Sequence, residues 1–502
     1  AFIAMGIAQQ KKLPTVLICT SGSAGLNYAP AVAEAYYQEI PLIILTADRP
    51  PEWIDQYDGQ TINQQGIYSK HVLATFELPV DGSTHPDARW HCNRIVNEAI
   101  LKSNGALAGP VHINVPIREP FYPLPGEEIS FEPTRLIQGP IIESKLRKEE
   151  VELYATRWNQ AKTKWLVVGQ QPKDEKLGAV LEQLGKDVLI LNEVTGNQHG
   201  FSGVIQNHES ILRNDQEGKI ASPELLVTIG NSLISKNLKT FLRANPPQEH
   251  WHIKEGDRLN DTLQQLSKLI PLKASTFFQQ LVPLIGHSNT SSHPLRALDS
   301  EFEGKKSKFL ADAPFGEFKA LFHCFKALPD RGQLHLANSM SVRYANLIGD
   351  LKKDCSVFCN RGTSGIDGST STAVGATLAS NELNVLVTGD LAFFYDRNAF
   401  WHNEDLSQLR IILLNNDGGG IFDMIPGPKA QKAHEQLFLT PHGLNAQSLA
   451  AEFHLDYAAV RNEDELKAAL SDFYAPANGA KIMEIFSDIP LNTAVMEDFR
   501  RL

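Results

Sequence analysis

The stretch TGDLAFFYDRNAFWHNEDLSQLRIILLNNDGGGIF, residues 388–422, contains two predicted strands that each end on a polar side chain. The first apolar run ends at Asp390, the second ends at Asn416, and glycines follow from Gly418. A helical stretch lies between the two runs, which is typical of a β-α-β unit with parallel strands. Because the carboxyl ends of parallel strands meet at one edge of a sheet, we expect Asp390 and Asn416 to lie close together.

These strand ends carry the oxygen ligands that Mg²⁺ prefers, and Mg²⁺ usually shares its coordination shell with substrate phosphates. Asp390 offers a carboxylate, Asn416 an amide oxygen and Gly418 a backbone carbonyl. The backbone amides from Leu391 onward are predicted to face phosphate oxygens. The alternative is that Gly-Asp and Asn-Asn are merely turn residues. Their spacing of 26 residues, after two apolar strands, favours a metal-diphosphate site.

The rest of the chain repeats this alternation of strands and helical stretches, the first of which covers residues 24–39. The pattern predicts an α/β protein with three doubly wound parallel-sheet domains in series. We place the domains at 1–125, 145–286 and 300–502, with Pro- and Gly-rich connectors at 119–144 and 287–294. The predicted strands are 15–21, 41–48, 109–116, 164–170, 187–193, 224–230, 249–256, 333–339, 355–362, 383–390, 408–416 and 480–488.

Composition excludes several classes of protein. The 502 residues carry a net charge of -11, so no general affinity for nucleic acid is expected. No apolar run reaches the roughly 18 residues of a membrane span. Five cysteines do not form a disulfide framework, and Cys355 and Cys359 are predicted to be buried reduced thiols rather than a metal or redox pair. We therefore expect a cytoplasmic protein.

The first residues, AFIAMGIAQQKKLP, contain neither an initiator methionine nor the basic region of a signal peptide. They are typical of the middle of an amphipathic helix. We therefore expect that an N-terminal segment precedes Ala1 in the natural protein.

Gly-Asp followed after about 26 residues by Asn-Asn resembles the thiamine diphosphate (ThDP) binding motif, in which glycine usually stands at the position of Leu391. The stretches at 46–55 (TADRPPEWID), 359–375 (CNRGTSGIDGSTSTAVG) and 415–426 (NNDGGGIFDMIP) are similar to the 2-succinyl-5-enolpyruvyl-6-hydroxy-3-cyclohexene-1-carboxylate synthases (MenD family). The resemblance implies the pyruvate-oxidase-like architecture, with a pyrimidine-binding domain first, a central domain, and a diphosphate-binding domain last.

The resemblance also implies an activity. The family uses ThDP with Mg²⁺, or Mn²⁺ as the alternative ion. It decarboxylates 2-oxoglutarate and transfers the succinyl semialdehyde unit to isochorismate in a 1,4-addition, which makes it a transferase of menaquinone biosynthesis. A homodimer or a dimer of dimers with composite active sites is implied as well.

Several residues match cofactor-binding or catalytic positions of the family. Ile366 is the implied wedge that bends ThDP, although periodicity alone favours a core isoleucine at this position. Ile421 and Phe422 are implied to form an apolar wall beside the thiazolium. Ser21 lies in a small-residue turn at 20–30 that the resemblance puts near the aminopyrimidine, and Gln60 matches an active-site position.

Both implied substrates are dianions, so an acidic protein must collect cations at its site. The resemblance assigns substrate contacts to Arg49, Lys236, Ser339, Arg343 and Arg361, of which Arg361 is also implied in catalysis. Arginine suits this role because its planar fork binds a carboxylate through two hydrogen bonds.

Two of these assignments have alternatives. Arg49 could equally form a structural ion pair within the dipeptide Asp48-Arg49. Asn237 stands where the family pattern has an arginine after Lys236, and Lys239 could compensate.

In the family, a glutamate that activates the pyrimidine lies upstream of the position of Ala1. Two alternative functions remain open. One is another ThDP enzyme, such as an acetohydroxyacid synthase or a 2-oxoacid decarboxylase. The other is a non-catalytic protein that keeps the fold and cofactor but lacks the glutamate.

Overall fold

The structure is a computed structural model that describes residues 1–80, 85–119, 122, 125–128, 133–140, 144–201, 203–215, 218–287, 290, 293–349 and 351–502. Parts of both predicted connectors, 119–144 and 287–294, lie outside the described residues. Within the described part of the chain, no helix is both long and apolar enough to cross a membrane.

The strands form three parallel sheets, as the sequence predicted. Sheet 1 has the order β1-β2-β4-β3, sheet 2 the order β10-β9-β8-β5-β6-β7, and sheet 3 the order β12-β11-β13-β14-β16-β15. The strands are β1 (Thr15–Cys19), β2 (Leu42–Asp48), β3 (Thr75–Glu77), β4 (Pro110–Pro116), β5 (Lys164–Val168), β6 (Leu189–Asn192), β7 (Val204–Ile205), β8 (Leu225–Ile229), β9 (Glu249–Ile253), β10 (Lys268–Ile270), β11 (Arg331–Leu336), β12 (Asp354–Cys359), β13 (Asn384–Gly389), β14 (Leu409–Asn415), β15 (Asp456–Val460) and β16 (Lys481–Phe486).

Helices connect the strands, which gives the α/β class that the sequence predicted. The helices are α1 (Phe2–Lys11), α2 (Ser23–Leu26), α3 (Ala29–Gln38), α4 (Pro86–Ser103), α5 (Lys148–Gln160), α6 (Glu175–Leu184), α7 (His208–Asn214), α8 (Lys236–Ala244), α9 (Ala274–Leu281), α10 (Pro294–Asp312), α11 (Glu317–Lys326), α12 (Met340–Ile348), α13 (Ser369–Ala379), α14 (Asp390–Tyr395), α15 (Pro426–Lys429), α16 (Gln447–Glu452), α17 (Glu463–Phe473) and α18 (Ile489–Phe499).

The chain divides into two compact units. Unit 1 contains Ala1–Glu143 and Asn360–Ser380, and unit 2 contains Ser144–Cys359 and Asn381–Leu502. Sheet 1 and helix α13 therefore belong to unit 1, whereas sheets 2 and 3 belong to unit 2. This division into two units does not test the predicted domain limits of 1–125, 145–286 and 300–502, which remain predictions.

In unit 1, helices α1 and α13 approach each other very closely. A Cβ atom at Gly6 would lie 2.1 Å from the carbonyl oxygen of Thr372, and one at Gly375 would lie 2.0 Å from that of Ile3. Only glycine allows backbones to pack at this distance. Because α1 also packs against sheet 1, its buried residues are not confined to one face, and the predicted amphipathic pattern is wrong for this helix.

One predicted helical stretch of unit 1 is split in the structure. Residues 24–39 form two helices, α2 and α3, and Pro30 lies in the first turn of α3. Proline is favoured in the first turn because its fixed φ suits a helix. Its lack of an N–H costs no hydrogen bond there, since the N–H groups of the first turn have no acceptor within the helix. The proline thus marks where the second helix begins.

In unit 2, the central strands are buried on both faces and are mostly apolar. All seven residues of β14 are buried, as expected for a parallel sheet covered by helices on both sides. A single hydrophobic cluster includes Trp165 of sheet 2 and Leu334 of sheet 3. Cys355 and Cys359 are buried free thiols on one face of β12, which confirms that prediction.

Candidate cofactor site

The carboxyl ends of β13 and β14 are neighbours, as the sequence predicted. The two strands pair in parallel, with Gly389 opposite Leu414. Asp390 begins helix α14, and its Oδ2 accepts a hydrogen bond of 3.1 Å from the backbone N–H of Asn416. The connection between the strands is less helical than expected, because α14 ends at Tyr395 and only a short 3₁₀ turn follows.

The carboxylate of Asp390 is tied to the backbone of both strand ends. Oδ1 accepts from the N–H of Leu391 at 2.7 Å, and Oδ2 also accepts from the N–H of Gly418 at 3.0 Å. The residue is 2% exposed. Burial raises the pKa of Asp390, and the backbone hydrogen bonds from Gly418 and Leu391 act against that rise. A cation beside this carboxylate would offset the same cost of burial.

The turn after β14 requires glycine. Gly418 has φ +152°, and a Cβ atom there would lie 2.2 Å from the carbonyl oxygen of Leu439. The same carbonyl accepts a hydrogen bond of 2.7 Å from the N–H of Gly419. The turn is also held through Asp417, whose Oδ1 accepts from the N–H groups of His442 at 3.0 Å and Gly443 at 2.6 Å. This packing fixes the direction of the Gly418 backbone.

The amide of Asn416 is polarised by its surroundings. Its Nδ2 donates a hydrogen bond of 2.6 Å to Oε1 of Glu317, the first residue of α11. Its Oδ1 is buried and has no hydrogen-bond partner among the described residues. A buried carbonyl oxygen without a partner costs free energy, so this atom fits a ligand for a cation. Burial raises the pKa of Glu317 to about 7, and the nearby Asp390 carboxylate adds to the rise.

His442 also lies at this site, which sequence reasoning missed. Its Nε2 is 3.3 Å from Oδ2 of Asp390, and its Nδ1 is 3.4 Å from Oδ1 of Asp417. The imidazole packs edge-on against Phe394, with ring centroids 5.3 Å apart. Its contact with Asp390 acts to lower the pKa of that carboxyl.

The donor set matches the chemistry of a hard divalent ion. A carboxylate, an amide oxygen and a backbone carbonyl are the oxygen ligands of Mg²⁺ sites that share a phosphate. Across the described ranges, no group of three or more His, Cys, Asp or Glu side chains could hold a metal ion.

Ser339 lies just after β11, directly before helix α12, and Arg343 lies within the first turns of that helix. Ser339 has φ +68°, which is unusual for a residue other than glycine and is typical of functional sites. The exposed Arg343 donates from Nη1 to the carbonyl oxygen of Ser339 at 2.5 Å. This hydrogen bond connects the two predicted substrate contacts to each other.

Ile421 and Phe422 follow the glycine turn, in a 3₁₀ helix that runs from Gly420 to Met424. Both are partly exposed rather than core residues. Phe422 packs edge-on against Phe438, with centroids 5.5 Å apart. An apolar surface therefore borders the strand ends.

The middle sheet contributes Lys236, an exposed residue at the start of α8. The neighbouring Asn237 donates from Nδ2 to Oε1 of Glu209 at 2.7 Å. Lys239 donates to the carbonyl oxygen of Leu233 at 3.0 Å, so its ammonium is engaged within the same segment. Whether Lys239 replaces the family's arginine stays a prediction.

In unit 1, Ser21 and Gln60 lie near each other at the carboxyl end of sheet 1. Ser21 is buried, and the next residue, Gly22, has φ +85° and packs against the backbone of Gln60. The N–H of Gly22 donates a hydrogen bond of 2.7 Å to Oε1 of Gln64. Gln64 is buried, and sequence reasoning did not identify it as the support of this turn.

Arg49 lies at the end of β2 and forms ion pairs. Its Nη1 is 3.5 Å from Oε1 of Glu119, and its Nε is 4.0 Å from Oδ2 of Asp58. These partners differ from the adjacent Asp48 that the sequence suggested; Oδ1 of Asp48 accepts a hydrogen bond of 2.8 Å from the backbone N–H of Arg49. A role in substrate binding stays a prediction for this residue.

Unit 1 also holds the loop that carries Arg361 and Ile366. The carboxylate of Glu34, on α3, accepts hydrogen bonds from the N–H of Gly362 at 2.6 Å and from the N–H and hydroxyl of Thr363 at 2.7 and 2.5 Å. Ile366 is 43% exposed, which excludes a core position for this side chain. Sequence reasoning missed Glu34, because nothing local links it to a loop that follows 328 residues later.

Comparison with known proteins identifies the family of this chain. A family model described as "Thiamine pyrophosphate enzyme, N-terminal TPP binding domain" matches residues 1–67. A protein of Cytophaga hutchinsonii is 43% identical over 514 residues, which cover 100% of this chain and 89% of the relative. Proteins of Flavobacterium johnsoniae and Bacteroides thetaiotaomicron are 38% and 37% identical, each over 99% of this chain and 89% of the relative. All three relatives are named 2-succinyl-5-enolpyruvyl-6-hydroxy-3-cyclohexene-1-carboxylate synthase.

Proposed function

Because this chain belongs to the family of 2-succinyl-5-enolpyruvyl-6-hydroxy-3-cyclohexene-1-carboxylate synthases, we propose that it is a ThDP-dependent transferase of menaquinone biosynthesis. It decarboxylates 2-oxoglutarate and adds the four-carbon succinyl semialdehyde unit to isochorismate. The products are 2-succinyl-5-enolpyruvyl-6-hydroxy-3-cyclohexene-1-carboxylate and CO₂. The observation that carries this proposal is the identity of 43% over the whole chain to one such synthase.

The strand ends of sheet 3 supply the proposed metal site. Asp390, the Oδ1 atom of Asn416 and the carbonyl oxygen of Gly418 hold Mg²⁺, with Mn²⁺ as the alternative ion. The ion and the backbone amides of the first turn of α14 hold the diphosphate of ThDP, while the N–H of Leu391 stays bonded to Oδ1 of Asp390. The buried, unpartnered Oδ1 of Asn416 supports this assignment. When bound, ThDP supplies the electron sink for decarboxylation.

The apolar residues of the proposed site exclude water and orient the cofactor. Ile366 acts as the wedge behind ThDP, and Ile421 and Phe422 form the wall beside its thiazolium. Ser21 and Gln60 face the aminopyrimidine. The exposure of Ile366, at 43%, supports this role, because a side chain that served only the core would be buried.

Cationic and polar groups bind the two dianionic substrates. Arg361, Arg343, Ser339, Lys236 and Arg49 contact their carboxylates or hydroxyls. In a protein with net charge -11, cationic side chains at the binding site lower the electrostatic barrier for an approaching dianion. The hydrogen bond from Arg343 to Ser339 supports a joint role for these two residues.

We also propose a homodimer, or a dimer of dimers, in the cytoplasm. The free state of all five cysteines supports a reducing compartment. Helix α4 exposes Trp90, Val96 and Ile100, which supports a protein contact on that face. The mass in solution, measured by light scattering after gel filtration, tests this assembly, and a monomer at micromolar concentration contradicts it.

The activity is tested with protein expressed from the complete coding sequence. ThDP, Mg²⁺, 2-oxoglutarate and isochorismate are supplied together, and isochorismate loss is followed with each component omitted in turn. Loss that requires all four supports the synthase. Consumption of 2-oxoglutarate or pyruvate while isochorismate survives indicates a different ThDP enzyme. Binding of ThDP without consumption of any substrate indicates a non-catalytic protein.

A further inference from the structure

Two consecutive asparagines end strand β14, and each donates its amide nitrogen to a buried glutamate. Nδ2 of Asn415 donates to Oε1 of Glu484 at 2.7 Å, and Nδ2 of Asn416 donates to Oε1 of Glu317 at 2.6 Å. The two amide oxygens differ. Oδ1 of Asn415 accepts from the N–H of Asp417 at 3.0 Å, whereas Oδ1 of Asn416 is buried with no partner among the described residues.

The orientation of an asparagine amide is decided only by its partners, because the two ends of the group have nearly the same shape. In the structure, Oε1 of Glu317 accepts the hydrogen bond from Nδ2 of Asn416, and an acceptor at this place favours the NH₂ end of the amide over its oxygen. Glu317 therefore forces the NH₂ end of Asn416 toward itself. The oxygen of Asn416 is thereby left for another ligand.

Glu317 itself is held rigidly. It begins α11 and is 1% exposed, and its own N–H donates to Oδ1 of Asn492 at 3.2 Å. Gly316, just before it, leaves no room for a Cβ atom, which would lie 2.9 Å from the same Oδ1. A buried carboxylate costs several kcal/mol of desolvation, so its presence here needs a compensating use.

We propose that Glu317 is a positioning residue for the metal: it holds the amide of Asn416 with Oδ1 toward the cation and so raises the affinity for Mg²⁺. Groups that orient a metal ligand in this way typically change metal affinity by about 10- to 100-fold. The inference rests on the proposed metal site at Asp390 and Asn416, and it adds a residue outside the ligand set.

The test compares Glu317→Leu, Glu317→Gln and the unchanged protein. Binding of ThDP is measured by calorimetry at increasing Mg²⁺. Leucine removes the acceptor at similar volume, so we expect half-saturation at about 10- to 100-fold higher Mg²⁺. Glutamine keeps an acceptor oxygen at the same reach, so we expect a change below about 3-fold.

Glu209→Leu is the matched control. Glu209 accepts a hydrogen bond of 2.7 Å from the amide of Asn237, in the part of unit 2 built around sheet 2. The substitution Glu209→Leu removes the same kind of hydrogen bond from Asn237, which is not a proposed metal ligand. We expect no change in the Mg²⁺ dependence.

The outcomes separate this inference from the proposed function. If the unchanged protein binds ThDP equally well with EDTA, the proposed metal site is wrong and the role of Glu317 is wrong with it. If binding needs Mg²⁺ and Glu317→Leu leaves the dependence unchanged, only the role of Glu317 is wrong. The role of Glu317 is also wrong if Glu317→Gln raises the Mg²⁺ concentration for half-saturation as much as Glu317→Leu does.

A second measurement needs no substitution, in case the leucine variant does not fold. A crystal structure of the unchanged protein with Mg²⁺ and ThDP should show Oδ1 of Asn416 on the cation and Nδ2 on Glu317. A flipped amide, or a Glu317 carboxylate beyond hydrogen-bond distance of Asn416, would overturn the inference.

Discussion

Oδ2 of Asp390 accepts a hydrogen bond of 3.0 Å from the N–H of Gly418, which lies 28 residues further along the chain. This bond joins the ends of β13 and β14 directly. It also aligns the carboxylate with the backbone of the glycine turn, so the proposed metal ligands form one rigid group. The predictions below test that group and the loops around it.

Replacement of Asp390 by alanine should abolish metal-dependent ThDP binding, because it removes both a proposed metal ligand and the hydrogen bonds that position the turn. We expect at least about 100-fold weaker binding, beyond the usual effect of an outer partner. Calorimetry in saturating Mg²⁺ measures it. Asp405→Ala, at an exposed loop residue, is the control and should bind normally. Unchanged ThDP affinity in Asp390→Ala would contradict the assignment of Asp390 as a metal ligand.

Gly418→Ala should destabilise the turn, since its Cβ atom would lie 2.2 Å from the Leu439 carbonyl at φ +152°. We expect a loss of about 2 kcal/mol or more together with weakened ThDP binding. The control is Gly427→Ala, where a Cβ atom meets nothing within 4 Å. Differential scanning calorimetry compares the two variants. Equal melting temperatures would contradict the strained turn.

Ile366→Ala should reduce catalysis with little effect on stability. The side chain is 43% exposed, so its truncation should cost less than about 1 kcal/mol. Ile44→Ala, at a fully buried residue of unit 1, should cost about 2–5 kcal/mol. Melting temperature and kcat are measured for both. A destabilisation of Ile366→Ala that matches Ile44→Ala would favour a purely structural residue.

Glu34→Gln should disturb the loop that carries Arg361. The glutamine NH₂ group would face a backbone N–H of Gly362 or Thr363, which costs about 1–3 kcal/mol for an unpaired donor. If Arg361 binds a substrate carboxylate, KM should rise more than kcat falls. Glu98→Gln changes an exposed i,i+4 pair with Arg94 and should alter neither constant. An unchanged KM in Glu34→Gln would contradict a role of this loop in substrate binding.

The stability of the protein should fall as the pH drops from about 6.5 to about 4. Burial lowers the pKa of His335 from 6.5 to about 4, so in this window the unfolded chain binds a proton that the folded chain does not. The contribution of His335 to the free energy of unfolding is complete above pH 6.5 and amounts to about 3 kcal/mol at most.

His335→Gln should flatten that pH dependence. Glutamine keeps a donor for Oδ1 of Asn384, which lies 2.9 Å from Nε2 of His335. His208 and His199 have pKa values lowered in the same direction, so only part of the slope should disappear. Melting temperatures of both proteins between pH 4 and 8 measure the difference. Parallel curves would contradict the role of His335.

The sequence alone identified the central strands, and it predicted the proposed metal ligands from the polar residues at their ends. Strands such as β13 and β14 are buried on both faces, so their apolar runs stand out, and the polar residues that stop them mark the sheet edge. The strands it missed, β3, β7, β10 and β15, are sheet edges or short pieces. Their residues have a weaker pattern because burial constrains them less.

Only the tertiary structure decided which residues support the site. Glu317 lies 99 residues before Asn416, and Glu34 lies 328 residues before Gly362. His442 reaches Asp390 from a separate segment. A buried carboxylate or imidazole leaves no local pattern, because its partners are set by which strands and helices become neighbours. Sequence spacing reports on contacts within one β-α-β unit, whereas these contacts join elements that become neighbours only when the chain folds.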